Sequence, residues 1–328
     1  MNKYAQNVCI FSFMKGFSVK TVFIDGSAGT TGLRIRERLS ERRDITLLTL
    51  PECERKDPTA RKRALNGADV AFLCLPDDAA REAITMIENP DVAIIDTSTA
   101  HRTAEGWTYG FPELFGQRDR IAASKRIANP GCHASGFIAL VAPLVRAGLL
   151  SESALLTAFS LTGYSGGGKK MIGEYEDAQR PKAFDAPRQY GLSQAHKHLP
   201  EMKVVCGLDR APVFSPILGD YYAGMEVTVP LFAEMLRGTR ADVVDAYREA
   251  YQNGLVRYNP EMGEGGFLCG EGFSGRDDME VGVLGNEERL LLVARYDNLG
   301  KGASGAAIQN MNILLRADEQ AGLVIGEQ

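Results

Sequence analysis

Short apolar runs and amphipathic stretches alternate along the first third of the chain. Apolar and β-branched residues predict strands at residues 20–25, 45–50 and 68–76 and in a run that begins at residue 91. Leu33, Ile35 and Leu39 recur at helical spacing among charged residues, which predicts an amphipathic helix after the first strand. Asp77 and Asp78 are placed to cap a later helix. Strands that alternate with helices predict an α/β domain with a parallel sheet.

The pattern changes beyond residue 150. Strand-like runs without regular helical crossovers occupy residues 155–164, 213–216, 225–229 and 290–296. This arrangement predicts a mixed or antiparallel sheet, and therefore a second domain of the α+β class. The last amphipathic stretch, from Ala306 to Leu314, predicts a helix that returns to the first domain.

A glycine-rich loop, Gly26-Ser27-Ala28-Gly29-Thr30-Thr31-Gly32, joins the first predicted strand to the first helix. In a dinucleotide-binding fingerprint, a loop in this position brings the N–H groups of a helix start to a pyrophosphate. The spacing is GxxGxxG rather than GxGxxG, and an ordinary glycine-rich turn is the alternative. We predict a Rossmann-type dinucleotide-binding domain, residues 1–131 with 297–328, and a second domain, residues 132–296, for which the resemblance described below implies catalysis and oligomerisation.

Charged residues of both signs follow the second predicted strand, where a domain of this kind binds the ribose of its cofactor. Glu52 could accept hydrogen bonds from ribose hydroxyls, whereas Arg55 and Lys56 could bind a 2′-phosphate. A solvated charged loop is the alternative, because most charge runs are solvated. The sequence therefore leaves the preference between NAD and NADP open at this point.

Cys132 directly follows Pro130-Gly131 and precedes an apolar run with helical spacing. Pro and Gly end the preceding element, so Cys132 is predicted at a helix N-terminus. The free N–H groups and the macrodipole there favour thiolate over thiol, which makes the sulfur nucleophilic. A small buried residue at a helix start is the alternative.

The chain has four histidines, and His196 and His198 share one loop. A histidine near a cysteine can move its proton, and Glu201 could orient such a histidine. Alternation places both side chains on one face of an extended segment, so the sequence does not decide between them. Further ligands at metal-site spacing are missing from this loop, and we predict no metal.

A reactive cysteine beside a nicotinamide site predicts aldehyde or acyl chemistry. The sulfur adds to a carbonyl carbon, and hydride passes between the sulfur-bound carbon and the cofactor. Arg102 follows the strand of the run that begins at residue 91, at the sheet edge where α/β proteins bind ligands, and could hold an oxyanion. An exposed loop arginine is the alternative.

Composition limits the partners of this 328-residue chain. The formal net charge is −5 and no dense basic block occurs, which makes nucleic acid an unexpected partner. Six scattered cysteines without a CxxC pattern argue against a disulfide framework, and we expect a reducing cytoplasm. The apolar segment from Cys9 to Met14 is too short to cross a bilayer. Translation could begin at Met1 or at Met14.

Five motifs together resemble N-acetyl-γ-glutamyl-phosphate reductase in its shorter form, from about Lys20 to the C-terminus. They are IDGSAGTTGL from Ile24, DTSTAHR from Asp96, NPGC from Asn129, HKHLPEM from His196 and NLGKGASG from Asn298. The glycine loop and the last motif are also similar to aspartate-semialdehyde dehydrogenase.

The resemblance implies NADPH-dependent reduction of N-acetyl-γ-glutamyl phosphate to its semialdehyde, with release of phosphate, in arginine biosynthesis. It implies that Cys132 is the nucleophile, that His196 is the acid/base, and that Glu201 supports it. The implied NADP site comprises Gly26, Ser27, Ala28, Gly29, Thr30, Thr31, Gly32, Leu75, Pro76 and Asn298. The implied substrate site comprises Arg102, Asn129, Gly163, His198, Lys169 and Arg188, with Lys170 and Arg180 as further candidates for the carboxylate.

Two other functions stay open from the sequence. Aspartate-semialdehyde dehydrogenase is the alternative within the same chemistry, and a non-catalytic dinucleotide sensor is the alternative from another class. The family resemblance also implies a homo-oligomer, a tetramer or a dimer, built through the sheet of the second domain.

Overall fold

The computed structural model describes residues 19–326. The two candidate start methionines lie outside the described residues. The first sheet has six strands, all parallel, in the order β2-β1-β3-β4-β6-β5. These are β1 (Lys20–Asp25), β2 (Ile45–Leu48), β3 (Val70–Leu73), β4 (Ala93–Asp96), β5 (Thr108–Tyr109) and β6 (Arg126–Ala128). A parallel sheet of this kind needs helices on both faces.

Four helices connect these strands: α1 (Thr30–Ser40), α2 (Pro58–Gly67), α3 (Asp77–Thr85) and α4 (Gln117–Ala123). On one face of the sheet, Leu65 and Ala80 of α2 and α3 pack against Phe23 and Ile94. On the other face, Ile35 of α1 belongs to a second apolar cluster. The alternation of strands and helices predicted from the sequence is confirmed.

The second sheet has seven strands of mixed direction, in the order β11-β12-β13-β10-β7-β9-β8. The strands are β7 (Thr157–Thr162), β8 (Arg188–Gln189), β9 (Val213–Leu218), β10 (Met225–Phe232), β11 (Val256–Tyr258), β12 (Met279–Gly285) and β13 (Arg289–Tyr296). The helices are α5 (Cys132–Arg146), α6 (Gly168–Glu176), α7 (Leu199–Cys206) and α8 (Arg240–Ala250). The predicted mixed sheet and α+β class are confirmed.

The two faces of the second sheet differ. Helix α5 lies on one face and buries Phe137, Leu140 and Leu144 against it. The opposite face leaves Phe159 and Phe232 of strands β7 and β10 exposed, together with Val213 and Leu291. An apolar face of this kind is typical of a surface that binds another protein chain.

The last helix, α9 (Gly305–Leu315), returns to the first sheet, as predicted. Ala307, Ile308 and Met311 join the apolar cluster that contains Ile35 of α1. A π-helical turn, Gly300–Ser304, leads into α9. In this turn, the Lys301 ammonium is buried and bridges both carboxylate oxygens of Glu113 at 2.9 and 2.8 Å.

Two local predictions were wrong. Leu33 was expected on the apolar side of α1, but the structure leaves it exposed, because Ile35 and Leu39 alone face the sheet. Asp77 begins α3 without capping it, since its carboxylate accepts the Thr99 N–H at 2.9 Å instead. This bond ties the start of α3 to the loop after β4. The residue boundaries of the two domains stay a prediction.

Within residues 19–326, no helix combines the length and the apolarity that crossing a membrane requires.

Candidate active site

The carboxyl ends of the first sheet, the start of α5 and the loop before α7 surround a cavity of about 850 Å³. Ligands bind at this edge of open parallel sheets. Gly32, Thr97, Cys132 and His198 all line the cavity, although they are widely separated in the chain. The cavity therefore brings the glycine loop and the predicted reactive side chains together.

The glycine loop has the backbone geometry that a close approach requires. Gly26 adopts a positive φ of 85°, and a Cβ on Gly32 would lie only 2.6 Å from the Gly26 carbonyl oxygen. Helix α1 begins at Thr30, so its free N–H groups start at the cavity. The Thr30 hydroxyl is buried without a hydrogen-bond partner among the described residues. An unpartnered donor beside a helix start fits a pyrophosphate.

A second cavity, of about 720 Å³, adjoins the loop. Gly26, Ser27 and Ala28 line this second cavity, whereas Gly29 to Gly32 line the first. Arg36, Glu52, Arg55 and Lys56 line the second cavity. The charged residues after β2 therefore lie at the edge of a cavity, with Glu52 and Lys56 exposed to solvent. Arg55 pairs with Glu52 at 3.6 Å and Arg61 pairs with Asp25 at 3.0 Å; the other cations that line this cavity are Arg36 and Lys56.

The remaining residues predicted for the cofactor lie on the first cavity. Leu75 and Pro76 line it where β3 ends. Asn298 also lines it, but its side chain is engaged within the protein. The Asn298 Oδ1 accepts the Gly224 N–H at 2.9 Å, and its Nδ2 donates to the Ser165 hydroxyl at 3.0 Å.

Cys132 is the first residue of α5, as predicted. The expectation that this position favours thiolate was wrong, because burial opposes it. Burial raises the pKa of the Cys132 thiol, and the charges of Arg102 and Lys197 only oppose that effect. The burial arises from distant parts of the chain, because Gly302 packs against the Cβ of Cys132 and the Tyr296 hydroxyl donates to its carbonyl oxygen at 2.5 Å.

Of the two histidines in the loop before α7, His198 is the one grouped with the thiol. One of its ring nitrogens, the Cys132 Sγ and a ring nitrogen of His133 all lie within 4.8 Å of one another. His198 is only 3% exposed, and its Nδ1 has no partner among the described residues. Burial holds the pKa of His198 well below its usual value, so the ring is neutral. A neutral buried imidazole can accept a thiol proton.

His196 lines the cavity farther along the same loop and is partly buried. Its Nδ1 accepts the His198 backbone N–H at 3.3 Å, and its ring meets that of His133 edge-on at 5.6 Å between centroids. Burial and the charge of Lys197 lower the pKa of His196 to about 4. His196 is therefore neutral as well and supports the position of His198.

The prediction that Glu201 orients a histidine was wrong, because other groups occupy both carboxylate oxygens. Oε1 accepts Arg102 Nη1 at 2.7 Å, and Oε2 accepts the Tyr109 hydroxyl at 2.8 Å and the Gly131 N–H at 3.1 Å. Glu201 is 1% exposed. It therefore fixes the turn that precedes Cys132 and the guanidinium beside it.

Gly131 itself has no room for a side chain. A Cβ there would lie 2.5 Å from Glu201 Oε1 and 2.6 Å from the His198 ring. Arg102 also donates from Nε to the Asn129 carbonyl at 3.1 Å, and Asn129 Nδ2 donates to the Ala303 carbonyl at 2.9 Å. The turn is thus held from both domains, and Arg102 and Asn129, which the sequence proposed for the substrate, line the cavity.

The candidates for binding a substrate anion differ in placement. Arg188 lines the cavity, lies over the Phe184 ring at 3.7 Å and donates to the Tyr175 hydroxyl at 2.7 Å. None of the described carboxylates forms an ion pair with it, so its charge is available to a ligand. Gly163 also lines the cavity.

Three other candidates do not lie on the cavity. Lys169 is exposed outside it. Lys170 pairs with Glu174 on the outside of α6 at 3.8 Å. Arg180 is bound by Asp220 and Asp185 at 2.6 and 2.9 Å. These cations are solvated or neutralised and lie off the cavity.

Sequence reasoning missed four residues that surround the reactive group: Tyr109, His133, Ser160 and Tyr190. Tyr109 binds Glu201, and the other three form a hydrogen-bonded row next to Cys132. Only His133 carried a signal, its position directly after the cysteine. Both of its ring nitrogens are engaged by hydroxyl groups. This leaves one thiol and one imidazole free, a donor set that fits proton transfer better than a metal ion.

Comparison with known proteins identifies two family models in the chain. Residues 15–124 match the semialdehyde dehydrogenase NAD-binding domain, and residues 132–298 match the semialdehyde dehydrogenase dimerisation domain. The first match covers strands β1 to β5 and the glycine loop. The second begins at Cys132 and supports assembly of more than one copy.

Curated relatives align with this chain over nearly their whole length. An N-acetyl-γ-glutamyl-phosphate reductase 2 from Pseudomonas putida is 48% identical over 306 residues, which cover 90% of this chain and 97% of that protein. A second one, from Nostoc, is 45% identical over 92% of this chain and 98% of its own length. An N-acetyl-γ-glutamyl-phosphate reductase from Rhizobium leguminosarum is 47% identical, with 90% and 98% covered.

Solved structures share the fold at low identity. Aspartate semialdehyde dehydrogenase II from Vibrio cholerae, in complex with ASA, has a TM-score of 0.68 and 17% identity, over 90% of this chain and 98% of that chain. Aspartate semialdehyde dehydrogenase from Candida albicans, solved with NADP, has a TM-score of 0.62 and 17% identity, over 93% and 99%. These likenesses support a Rossmann-type domain joined to a mixed-sheet domain.

Proposed function

Because the chain belongs to the N-acetyl-γ-glutamyl-phosphate reductase family, we propose that it reduces N-acetyl-γ-glutamyl phosphate to N-acetylglutamate 5-semialdehyde with NADPH and releases phosphate. This reaction is a step of arginine biosynthesis, as the family name implies. The observation that carries the proposal is the Cys132 sulfur beside a buried neutral imidazole of His198, in a cavity that also receives the glycine loop.

Cys132 is the proposed nucleophile. Its thiol gives its proton to His198, and the sulfur attacks the acyl carbon. The phosphate group leaves with a proton from His198, and an acyl thioester remains on Cys132. Because burial keeps the free thiol protonated, the proton acceptor is required for the first step.

NADPH, when bound, supplies the hydride that reduces the acyl carbon. The buried Thr30 hydroxyl and the start of α1 are the groups that we propose for its pyrophosphate, and Arg36, Arg55 and Lys56 are those for its 2′-phosphate. The oxygen of the reduced carbon re-forms a carbonyl as the Cys132 thiolate departs. His198 then returns a proton from solvent to the sulfur.

His196 was the acid/base implied by the family motif, and we propose His198 in its place. The placement of a His198 nitrogen within 4.8 Å of the sulfur supports this choice. Glu201 serves as a positioning residue, because it binds the Gly131 N–H and Arg102 rather than an imidazole. Arg102 is proposed for the phosphate group and Arg188 for the substrate carboxylate.

We also propose that copies of the chain assemble through the exposed face of the second sheet. Phe159, Val213, Phe232 and Leu291 give that face its apolar character. The choice between dimer and tetramer stays a prediction, which sedimentation of the purified protein would decide. A reducing cytoplasm is the proposed location, since the chemistry requires a free thiol at Cys132.

The direct test runs the reaction backwards. NADP and phosphate are mixed with the protein and with either N-acetylglutamate semialdehyde or aspartate semialdehyde. We expect turnover with the N-acetylated substrate, and a preference for aspartate semialdehyde would overturn the proposal in favour of the alternative enzyme. Cys132→Ala serves as the control, since it should lose turnover by more than about 10³-fold while it retains NADPH binding.

A further inference from the structure

A row of three hydrogen-bonding side chains runs from the core of the second sheet to the cavity. The Ser160 hydroxyl lies 2.6 Å from His133 Nδ1, and the Tyr190 hydroxyl lies 2.6 Å from His133 Nε2. Ser160 is fully buried on β7, His133 follows the nucleophile on α5, and Tyr190 lines the cavity. The row therefore ends at the cavity that Cys132 also lines.

The direction of these hydrogen bonds follows from what each group can do. A neutral imidazole donates from one ring nitrogen and accepts at the other. Burial lowers the pKa of His133 to about 3, so the ring is neutral at physiological pH. One of the two hydroxyl groups must therefore donate to His133, and the other must accept from it.

Ser160 decides which of the two donates. Among residues 19–326, its hydroxyl has no hydrogen-bond partner except His133. If His133 Nδ1 donated to it, the serine proton would be buried without an acceptor, which costs the full desolvation of that donor. The favoured arrangement has Ser160 donating to Nδ1 and Nε2–H donating to the Tyr190 oxygen.

This direction leaves the Tyr190 proton unused by the described part of the chain. The phenol lines the cavity, where a ligand can accept that proton. Burial, with a further contribution from Cys132, raises the pKa of Tyr190, so the phenol keeps its proton. A hydroxyl that receives an N–H bond is also a stronger donor, because hydrogen bonds in a chain polarise one another.

We propose that Tyr190 is a catalytic hydrogen-bond donor to the oxygen of the substrate's reacting carbon, and that Ser160 and His133 orient it. The inference rests on the proposed function, because it needs an acyl carbon bound to Cys132. Negative charge develops on that oxygen when the sulfur adds and again when hydride arrives. A preorganised donor aimed at such an oxygen stabilises the transition state more than the ground state.

The kinetic test is Tyr190→Phe, which removes the donor and keeps the ring. We expect kcat to fall about 10²-fold, with the KM for the acyl phosphate and the affinity for NADPH nearly unchanged. Tyr221→Phe is the matched control, since the Tyr221 hydroxyl is buried without a partner in residues 19–326 and does not line the cavity. A Tyr190→Phe enzyme that keeps kcat within twofold would overturn the proposal.

The second test needs no substrate and reads the hydrogen-bond direction itself. Nitrogen NMR of histidine-labelled protein distinguishes the Nε2–H tautomer from the Nδ1–H tautomer, and His133→Asn identifies the His133 signals by their loss. We expect His133 as the Nε2–H tautomer, and an Nδ1–H tautomer would overturn the inference. The tautomer of His133 can be measured even if the protein does not reduce the acyl phosphate. Failure of the proposed activity and failure of the proposed hydrogen-bond direction are therefore distinguishable.

Discussion

The two walls of the cavity are built in different ways. The part of the nucleotide wall proposed for the pyrophosphate is made mainly of backbone: a positive-φ glycine, a close carbonyl contact at Gly32 and the first turn of α1, with the Thr30 hydroxyl beside them. The thiol wall is made of side chains, in which Glu201 gathers Arg102, Tyr109 and the Gly131 N–H. The first wall comes from one continuous stretch of seven residues, Gly26 to Gly32, and the second comes from four separate segments.

The difference predicts which amino-acid substitutions each wall tolerates. A backbone wall tolerates changes of side-chain polarity but not an added Cβ where the chain touches itself. A side-chain wall tolerates small shifts of backbone but not the loss of a proton-carrying or charged group. Substitutions on the two walls should therefore separate cofactor binding from chemistry.

The largest effect is expected from His198→Asn, on the thiol wall. Asparagine cannot take up the Cys132 proton, so kcat should fall about 10²- to 10⁴-fold while NADPH binding stays intact. Steady-state kinetics and NADPH fluorescence titration measure both quantities. His196→Asn is the matched control on the same loop, and its loss should be much smaller. An equal or larger loss of kcat in His196→Asn would contradict this choice and assign the acid/base role to His196, the residue implied by the family motif.

A smaller effect is expected from Gly32→Ala, on the nucleotide wall. Its Cβ would lie 2.6 Å from the Gly26 carbonyl and 3.0 Å from the Ser27 Cα, so the loop must shift. We expect the Kd for NADPH to rise at least about 10-fold, or roughly 1.4 kcal/mol, with the alkylation rate of Cys132 nearly unchanged. Isothermal titration calorimetry and timed alkylation measure the two.

Gly67→Ala is the control for that experiment. No atom lies within 4 Å of a Cβ built on Gly67, at the end of α2, so NADPH affinity should not change. Circular dichroism and thermal melting establish that both variants are folded. An unaltered NADPH affinity in Gly32→Ala would refute the claim that close backbone packing at Gly32 shapes the nucleotide site.

The same contrast explains how far the sequence could predict this protein. Strand β1, the glycine loop and the start of α5 at Cys132 were predictable, because each depends on neighbouring residues in the chain. The fold class followed from where helical crossovers occur and where they cease. The family resemblance added the catalytic roles of the residues. Spacing alone left the acid/base open between His196 and His198.

Burial and side-chain partners were not predictable, because both depend on segments far apart in the sequence. The raised pKa of Cys132 reflects packing by Gly302 and Tyr296, more than 160 residues away. Glu201 was expected to orient a histidine, but folding brings Tyr109 and Arg102 to its carboxylate oxygens instead. No local pattern reports such partners.

The central claim is that Cys132 carries the acyl group between phosphate release and reduction. Intact-protein mass spectrometry, after mixing with N-acetyl-γ-glutamyl phosphate in the absence of NADPH, tests it most directly. We predict one N-acetylglutamyl adduct per chain, mapped to Cys132, together with one equivalent of released phosphate, and neither in Cys132→Ala. Reduction of the substrate by the complete system in a Cys132→Ala protein, or an adduct on another residue, would contradict the account.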